Sequence, residues 1–213
     1  MKTINADYFI KFLMSAYNFE DLPLDIGCEI AFFGRSNSGK SKALNVLFKK
    51  NKLSRSSKNP GKTMYINVFQ ISKKLRIIDL PGFGYAKVPK KNKLIITQLI
   101  EAYLKKRRSL KILIFLEDIR RSISNFDKKT IDLMLEKNIH ILILLSKSDK
   151  VPISYRQLKL LRFKKFLNLH DKNKILSKIS VYNFSALSRE GIDSVKKKIN
   201  SWTQKKIFTD FKN

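Results

Sequence analysis

Residues 34 to 41 read Gly34-Arg35-Ser36-Asn37-Ser38-Gly39-Lys40-Ser41, the pattern G-x-x-x-x-G-K-S. Two glycines with Lys-Ser directly behind the second let a loop wrap a phosphate chain with its backbone N–H groups. Lys40 can then reach the outer phosphates, and the Ser41 hydroxyl can bind Mg²⁺. The flanks agree with that use. Glu29-Ile30-Ala31-Phe32-Phe33 is a short apolar strand, and Lys42-Ala43-Leu44-Asn45-Val46-Leu47-Phe48 is helical. This strand–loop–helix frame separates a phosphate site from a chance glycine pair and sets the phosphates at a helix N-terminus. The motif constrains the fold and implies a nucleoside triphosphate.

ATPases, GTPases and small-molecule kinases share such a loop, so the rest of the chain must choose among them. Asp79-Leu80-Pro81-Gly82 follows the apolar run Leu75-Arg76-Ile77-Ile78. An Asp at a strand end beside the loop can hold Mg²⁺ through a water, and Gly82 lets the backbone approach a γ-phosphate. Ser146-Lys147-Ser148-Asp149 follows the apolar strand 139–145. A carboxylate accepts only, and the guanine edge offers two adjacent donors where adenine has none, so Asp149 can discriminate the purines. The stem of Lys147 can lie along the base plane. Tyr182-Asn183-Phe184-Ser185-Ala186-Leu187 ends another strand, and its small residues admit N–H groups to the guanine carbonyl. Between the first two elements, Pro60-Gly61-Lys62-Thr63 lies in a polar stretch, where a Thr can close over Mg²⁺ and the γ-phosphate. Each match alone also fits an ordinary polar turn. Four matches in one order select GTP over ATP.

On these residues the chain resembles the EngB (YihA/YsxC) family of bacterial GTPases, in the Era-like group of translation-associated GTPases. The resemblance is carried by the phosphate loop, Pro60-Gly61-Lys62-Thr63, Asp79-Leu80-Pro81-Gly82-Phe83-Gly84-Tyr85-Ala86, Asp118-Ile119-Arg120, Ser146-Lys147-Ser148-Asp149 and Phe184-Ser185-Ala186-Leu187. It runs from about Asp7 to Trp202. It implies a Mg²⁺-dependent GTPase that helps mature the large ribosomal subunit, with that subunit's precursor and its rRNA as partners. The family is also described as needed for normal cell division and septation. Carried over, Gly34 to Ser41 hold phosphates, and Gly61, Lys62, Thr63, Met64 and Tyr65 form the closing loop. Ser41, Thr63 and, through water, Asp79 serve Mg²⁺. Asp79 to Gly82 sense the γ-phosphate, and Ser146 to Asp149 with Phe184, Ser185 and Ala186 enclose guanine. Lys40, Thr63 and Gly82 are the catalytic candidates. Related GTPases use an Asn at the place of Asn37 to help hold K⁺, a charge that can stand in for an arginine finger.

Three residues depart from common patterns. Ser146 keeps a hydroxyl where this family usually has Thr and most GTPases Asn. Lys42 occupies a place where a small residue is common. Phe83 stands where many signalling GTPases carry a water-orienting Gln. Phe cannot do that job, so slow intrinsic hydrolysis is expected until a partner or K⁺ completes the site.

Composition bounds the rest. At 213 residues, 43% of them hydrophobic, one sizeable core is expected. A lone Cys28, no apolar run near the ~20 residues that cross a bilayer, and no signal-peptide pattern at the N-terminus point to a cytoplasmic protein; a monomer is expected, although these features do not fix the oligomeric state. The net charge of +28 attracts polyanions. RNA fits, although a Lys-, Ile- and Asn-rich composition also follows from AT-rich coding. Lys105-Lys106-Arg107-Arg108, Lys90-Lys91 with Lys93, and Lys196-Lys197-Lys198 are either RNA contacts or solvated faces. His140 and His170 are isolated and read as structural or solvated.

The spacing of Phe9, Phe12 and Leu13 predicts an N-terminal helix over about 6–18. A GTPase core over about 28–205 and a short tail complete one domain, 1–213. Strands are expected near 29–34, 64–71, 74–80, 111–117, 139–145 and 179–184, with a hairpin at Ser72-Lys73-Lys74. Helices fall near 92–107, 127–137, 154–169 and 191–206. The predicted fold is a three-layer α/β/α P-loop GTPase: a doubly wound, mostly parallel six-stranded sheet with one antiparallel strand. Tyr85 and Lys87 follow the γ-phosphate element, where Tyr85 either stacks on a partner or packs on a helix.

Overall fold

A computed structural model describes residues 10–50, 53, 65–84, 89–170 and 175–209. In chain order the elements are β1 (Lys11–Ala16), β2 (Cys28–Gly34), α1 (Lys40–Leu47), β3 (Ile66–Ser72), β4 (Leu75–Asp79), α2 (Lys90–Lys106), β5 (Leu110–Asp118), α3 (Asn125–Glu136), β6 (His140–Ser146), α4 (Ile153–His170), β7 (Ile179–Phe184) and α5 (Ile192–Thr203). The strands form one sheet in the order β1-β3-β4-β2-β5-β6-β7. Only β3 runs against the rest, pairing antiparallel with both β1 and β4. The hairpin turn falls at Lys73 and Lys74, between β3 and β4, as the sequence indicates.

The central strands are apolar on both faces because both faces are covered. From β5, Leu113 and Phe115 join one core with Ile100 and Tyr103 of α2, Met134 of α3 and Phe163 of α4. Ile112, Ile114 and Leu116 point the other way, into a core with Leu44 of α1 and Val195 of α5. That alternation produces the three layers.

Two expectations need correction. The sheet has seven strands, not six, because the described part of the predicted N-terminal helix, Lys11–Ala16, is an edge strand. Phe12 and Leu13 sit about half exposed, and Phe12 meets Phe69 edge to face at 5.7 Å. Ser15 donates to Asn67 Oδ1 at 2.8 Å. An isolated short helix is marginal in water, whereas β3 offers a row of unpaired N–H and C=O groups that a strand satisfies at once. Pairing therefore overrides the helical spacing.

At the N-terminal end of β2, Glu29 is fully buried and held from three sides. Arg107 reaches Oε1 at 2.6 Å and Oε2 at 3.0 Å, Arg76 reaches Oε1 at 3.2 Å, and the Tyr103 hydroxyl donates to Oε2 at 2.9 Å. Burial, reinforced by the Glu29 carboxylate, pushes the Tyr103 hydroxyl well above its ordinary pKa. Arg107 and Arg76 also donate to the Pro23 and Leu24 carbonyls, which fastens the loop before β2 to α2 and β4. This knot fixes the strand that carries the glycine loop.

Candidate functional site

β2 lies between β4 and β5, and the glycine loop leaves its C-terminal end. A Cβ on Gly34 would sit 2.5 Å from the Leu116 carbonyl oxygen and 2.7 Å from Ser38 Oγ, so no larger residue fits. Gly39 has φ +94°, a left-handed turn that starts α1 at Lys40. The loop is pinned by Ser36 N–H donating to the Phe83 carbonyl at 2.8 Å and Ser38 N–H to the Arg35 carbonyl at 3.1 Å. The first-turn N–H groups of a helix have no intrahelical acceptor and carry its positive end, an anion-binding arrangement. Lys40 is buried and ion-paired with the buried carboxylate of Asp79 at the end of β4. Ser41 is half-buried, Lys42 is exposed, and Asn37 is exposed at the rim with φ 61°.

Beyond Asp79, Leu80 N–H donates to the Phe32 carbonyl at 3.1 Å, and Leu80, Pro81 and Gly82 are buried beside the loop. Phe83 turns inward. Its ring stacks on Phe33 at 4.8 Å and meets Phe126 at 4.9 Å, and only 8% of it is exposed.

The third segment arrives at the end of β6. Ser146 donates its hydroxyl to the Ser38 carbonyl at 2.6 Å, a bond between residues 108 positions apart that ties this loop to the glycine loop. Lys147 adopts a left-handed backbone, and its amine pairs with Asp118 Oδ2 at 2.9 Å. Arg120 clasps the same carboxylate at 2.8 and 2.9 Å. Burial, which would raise the Asp118 pKa, is outweighed by the hydrogen bonds from Arg120 and Lys147, and the carboxyl is held well below its usual range. Ser148 donates to Glu190 Oε2 at 2.6 Å, and Arg156 holds that oxygen at 3.0 Å. Asp149 remains partly exposed and accepts from Ser185 Oγ at 2.6 Å. That bond is the main reason its carboxyl lies below the ordinary value. Ser185 Oγ in turn accepts from the N–H groups of Leu187 and Ser188. The Ser185 turn and the Asp149 loop are thus one assembly.

The side chains divide by task. Ser146, Lys147 and Ser148 spend their polar groups on protein, so Asp149 is the carboxylate that this loop presents outward. Phe184 contributes backbone only, because its ring lies in the core with Ile192 and Val195. Tyr65 precedes β3 and packs against Tyr17 at 5.2 Å. Asp118 steadies the Lys147 loop. Gly61, Lys62, Thr63, Met64, Tyr85 and Lys87 lie outside the described residues.

Two acidic residues escaped sequence reasoning. Glu190 precedes Gly191 and supports Ser148 and Arg156; its sequence neighbours give no sign of partners so distant. Glu117, at the end of β5, is buried with both carboxylate oxygens unpaired near the glycine loop. Burial and then the nearby Asp127 carboxylate raise its pKa to about 7 against the pull of Arg35 and Arg121. Its signal was a carboxylate closing the apolar run 111–117.

Residues 29–147 match the family model of the 50S ribosome-binding GTPase. A probable GTP-binding protein EngB of Buchnera aphidicola (subsp. Schizaphis graminum) is 43% identical over 195 residues, covering 91% of this chain and 94% of the relative. Among solved structures, a probable GTP-binding protein EngB superposes with TM-score 0.64 at 23% identity, covering 83% of this chain and 99% of that one. Era in complex with MgGDPNP and a 16S ribosomal RNA segment superposes with TM-score 0.59 at 22% identity, covering 88% of this chain and 59% of that one. At those identities the two structures speak for the fold alone. The family model covers more than half of the chain and the Buchnera relative nearly all of it, and on that basis the chain belongs to the EngB family of GTP-binding proteins.

Proposed function

We propose that the chain binds GTP with Mg²⁺ along the C-terminal edge of the sheet and hydrolyses it as a switch in large ribosomal subunit assembly. The observation that carries this reading is the Ser146–Ser38 hydrogen bond. It couples a loop suited to phosphates to a loop that presents one carboxylate, so both act on a single ligand. Gly34 to Ser41 cradle the phosphates, and Lys40 exchanges Asp79 for the outer ones. Asp149 accepts from the guanine ring N–H and amine, while the Ser185 and Ala186 N–H groups face the guanine carbonyl.

The donor set suits Mg²⁺. The Ser41 hydroxyl and the Asp79 carboxylate are hard oxygen donors on adjacent segments, few enough that phosphates and water fill the remaining positions. Thr63 would add another hydroxyl. Bound Mg²⁺ neutralises charge on the phosphates and favours departure of the γ-phosphoryl group. The neutral amide oxygen of Asn37 suits a K⁺ beside them. Gly82, three residues beyond Asp79, is the γ-phosphate sensor.

Phe83 is committed to the aromatic stack and has no group to orient water, so turnover by the protein alone is slow. Ribosomal partners or K⁺ complete the site. The family model's 50S description supports the large subunit as that partner, and a requirement in cell division and septation would follow from impaired translation. No helix among the described residues is long and apolar enough to cross a membrane; a cytoplasmic monomer is part of the same proposal.

The test is GTP turnover at fixed Mg²⁺, in K⁺ and in Na⁺, with and without large ribosomal subunits. Stimulation by either supports the switch. Tight GTP binding without stimulated turnover favours the second reading, a nucleotide-gated ribosome-binding module with negligible hydrolysis, which the buried Phe83 specifically motivates.

A further inference from the structure

The opposite edge of the sheet carries a second concavity, of about 560 Å³, among the N-terminal ends of β2, β5 and β6 and the C-terminal ends of α2, α3 and α5. At ~3.3 Å per strand residue it lies roughly 20 Å along β2 from the glycine loop. Five of its lining side chains are cationic and none is a carboxylate.

Some of that charge has a structural use. Arg107 is locked on Glu29. Lys137 donates to the Leu104 and Lys105 carbonyls at 2.7 and 2.8 Å, neutralising the negative end of α2. Lys111 donates to the Arg108 carbonyl at 2.9 Å. These contacts leave Arg108 and Lys178, which make no ion pair or side-chain hydrogen bond among the described residues. Asp25, the acidic neighbour of Arg108, is turned to the backbone N–H groups of residues 108 and 109 at 2.9 and 2.7 Å. The wall behind is aromatic, with Trp202 stacked on His140 at 4.6 Å and Lys198 over the indole at 4.8 Å. Cations beyond those the helix ends consume, around a nucleotide-sized hollow with no opposing carboxylate, favour a phosphate-bearing ligand.

We propose that this cavity binds RNA through its phosphodiester backbone, with Arg108 and Lys178 as the principal contacts, so that GTP and RNA occupy opposite edges of one sheet. The choice of RNA over an acidic polypeptide rests on the proposed ribosomal role. The bland alternative is a diffuse field from a chain of net charge +28.

The experiment is fluorescence anisotropy of a short, labelled single-stranded RNA of mixed sequence against the full chain saturated with GDP, across a salt series. Arg108→Glu with Lys178→Glu is compared with Lys164→Glu and Lys165→Glu, an equal charge change on the exposed face of α4. The cavity variant should weaken binding at least about tenfold and flatten the dependence of log K on log salt by about 1–2, whereas the control should lose no more than about threefold. Both variants should bind labelled GDP as the parent does. If charge reversal prevents folding, Arg108→Gln with Lys178→Gln carries the same comparison. Equal losses in the two variants would overturn the site in favour of a diffuse field. Displacement of RNA by polyglutamate at lower concentration than by unlabelled RNA would overturn it in favour of an acidic protein. Subunit-stimulated turnover is read separately, so a failed ribosomal role and a failed RNA site remain distinguishable.

Discussion

The two ends of β2 use charge in opposite ways. At the N-terminal end, Glu29 is saturated by Arg107, Arg76 and Tyr103, and its carboxylate is committed to protein partners. At the C-terminal end, Lys40 is ion-paired with Asp79, Asp149 faces partly outward, and the Glu117 oxygens have no hydrogen-bond partner among the described residues. One end holds the strand still; the other keeps groups that a charged ligand can rearrange. A glycine loop works as a rigid cradle because its base is locked and its rim is not.

The largest effect should come from breaking the locked end. Glu29→Ala leaves two buried arginines without their carboxylate, and removing one member of a buried ion cluster costs about 3–5 kcal/mol. Thermal denaturation should show the midpoint falling by about 6–20 °C for a chain of this size, with the preference for GTP over ATP unchanged. A loss below about 1 kcal/mol would mean that the knot contributes little.

At the other end, Glu117 sets a pH dependence. Its folded pKa of about 7 lies above its ordinary 4.5. The stability it contributes is therefore fully present below about pH 4.5 and is lost as pH rises through about 7. Glu117→Gln should remove that decline and be the more stable protein at pH 8, by roughly 2–3 kcal/mol. Urea unfolding of both proteins across pH 5–8 checks this; parallel curves would contradict it.

Smaller again is the loss from Ser146→Ala. It deletes the hydroxyl that meets the Ser38 carbonyl and leaves a buried acceptor unpaired, at a cost of about 1–3 kcal/mol. GDP affinity measured by titration should fall about 5- to 100-fold with the fold intact. Replacement by Thr should restore it, because the hydroxyl returns.

How legible these ends were in the sequence follows from how local each one is. The glycine loop is eight contiguous residues whose geometry is set by two glycines, and the alternating apolar runs place the central strands within two residues of their ends. The edge strand β1 was misread because its spacing also suits a helix and its true partner, β3, begins 50 residues beyond its end. The Glu29–Arg107 knot joins positions 78 apart, and the Ser146–Ser38 bond joins positions 108 apart. No local pattern announces either. Phe184 shows the same limit: its place in a motif was readable, but the burial of its ring depends on α5.

The most direct test of the central claim, that the segments at the sheet's C-terminal edge form one guanine-nucleotide site, is the nucleotide preference of Asp149→Asn. Titration of GDP, xanthosine diphosphate and ADP against both proteins should show the variant losing GDP affinity about 10- to 100-fold, the range for a charge-assisted hydrogen-bond pair. It should gain affinity for the xanthine nucleotide, whose extra carbonyl meets the new amide donor, and ADP should stay weak throughout. An unchanged preference in Asp149→Asn would mean that Asp149 does not read the base, and the guanine assignment would fall.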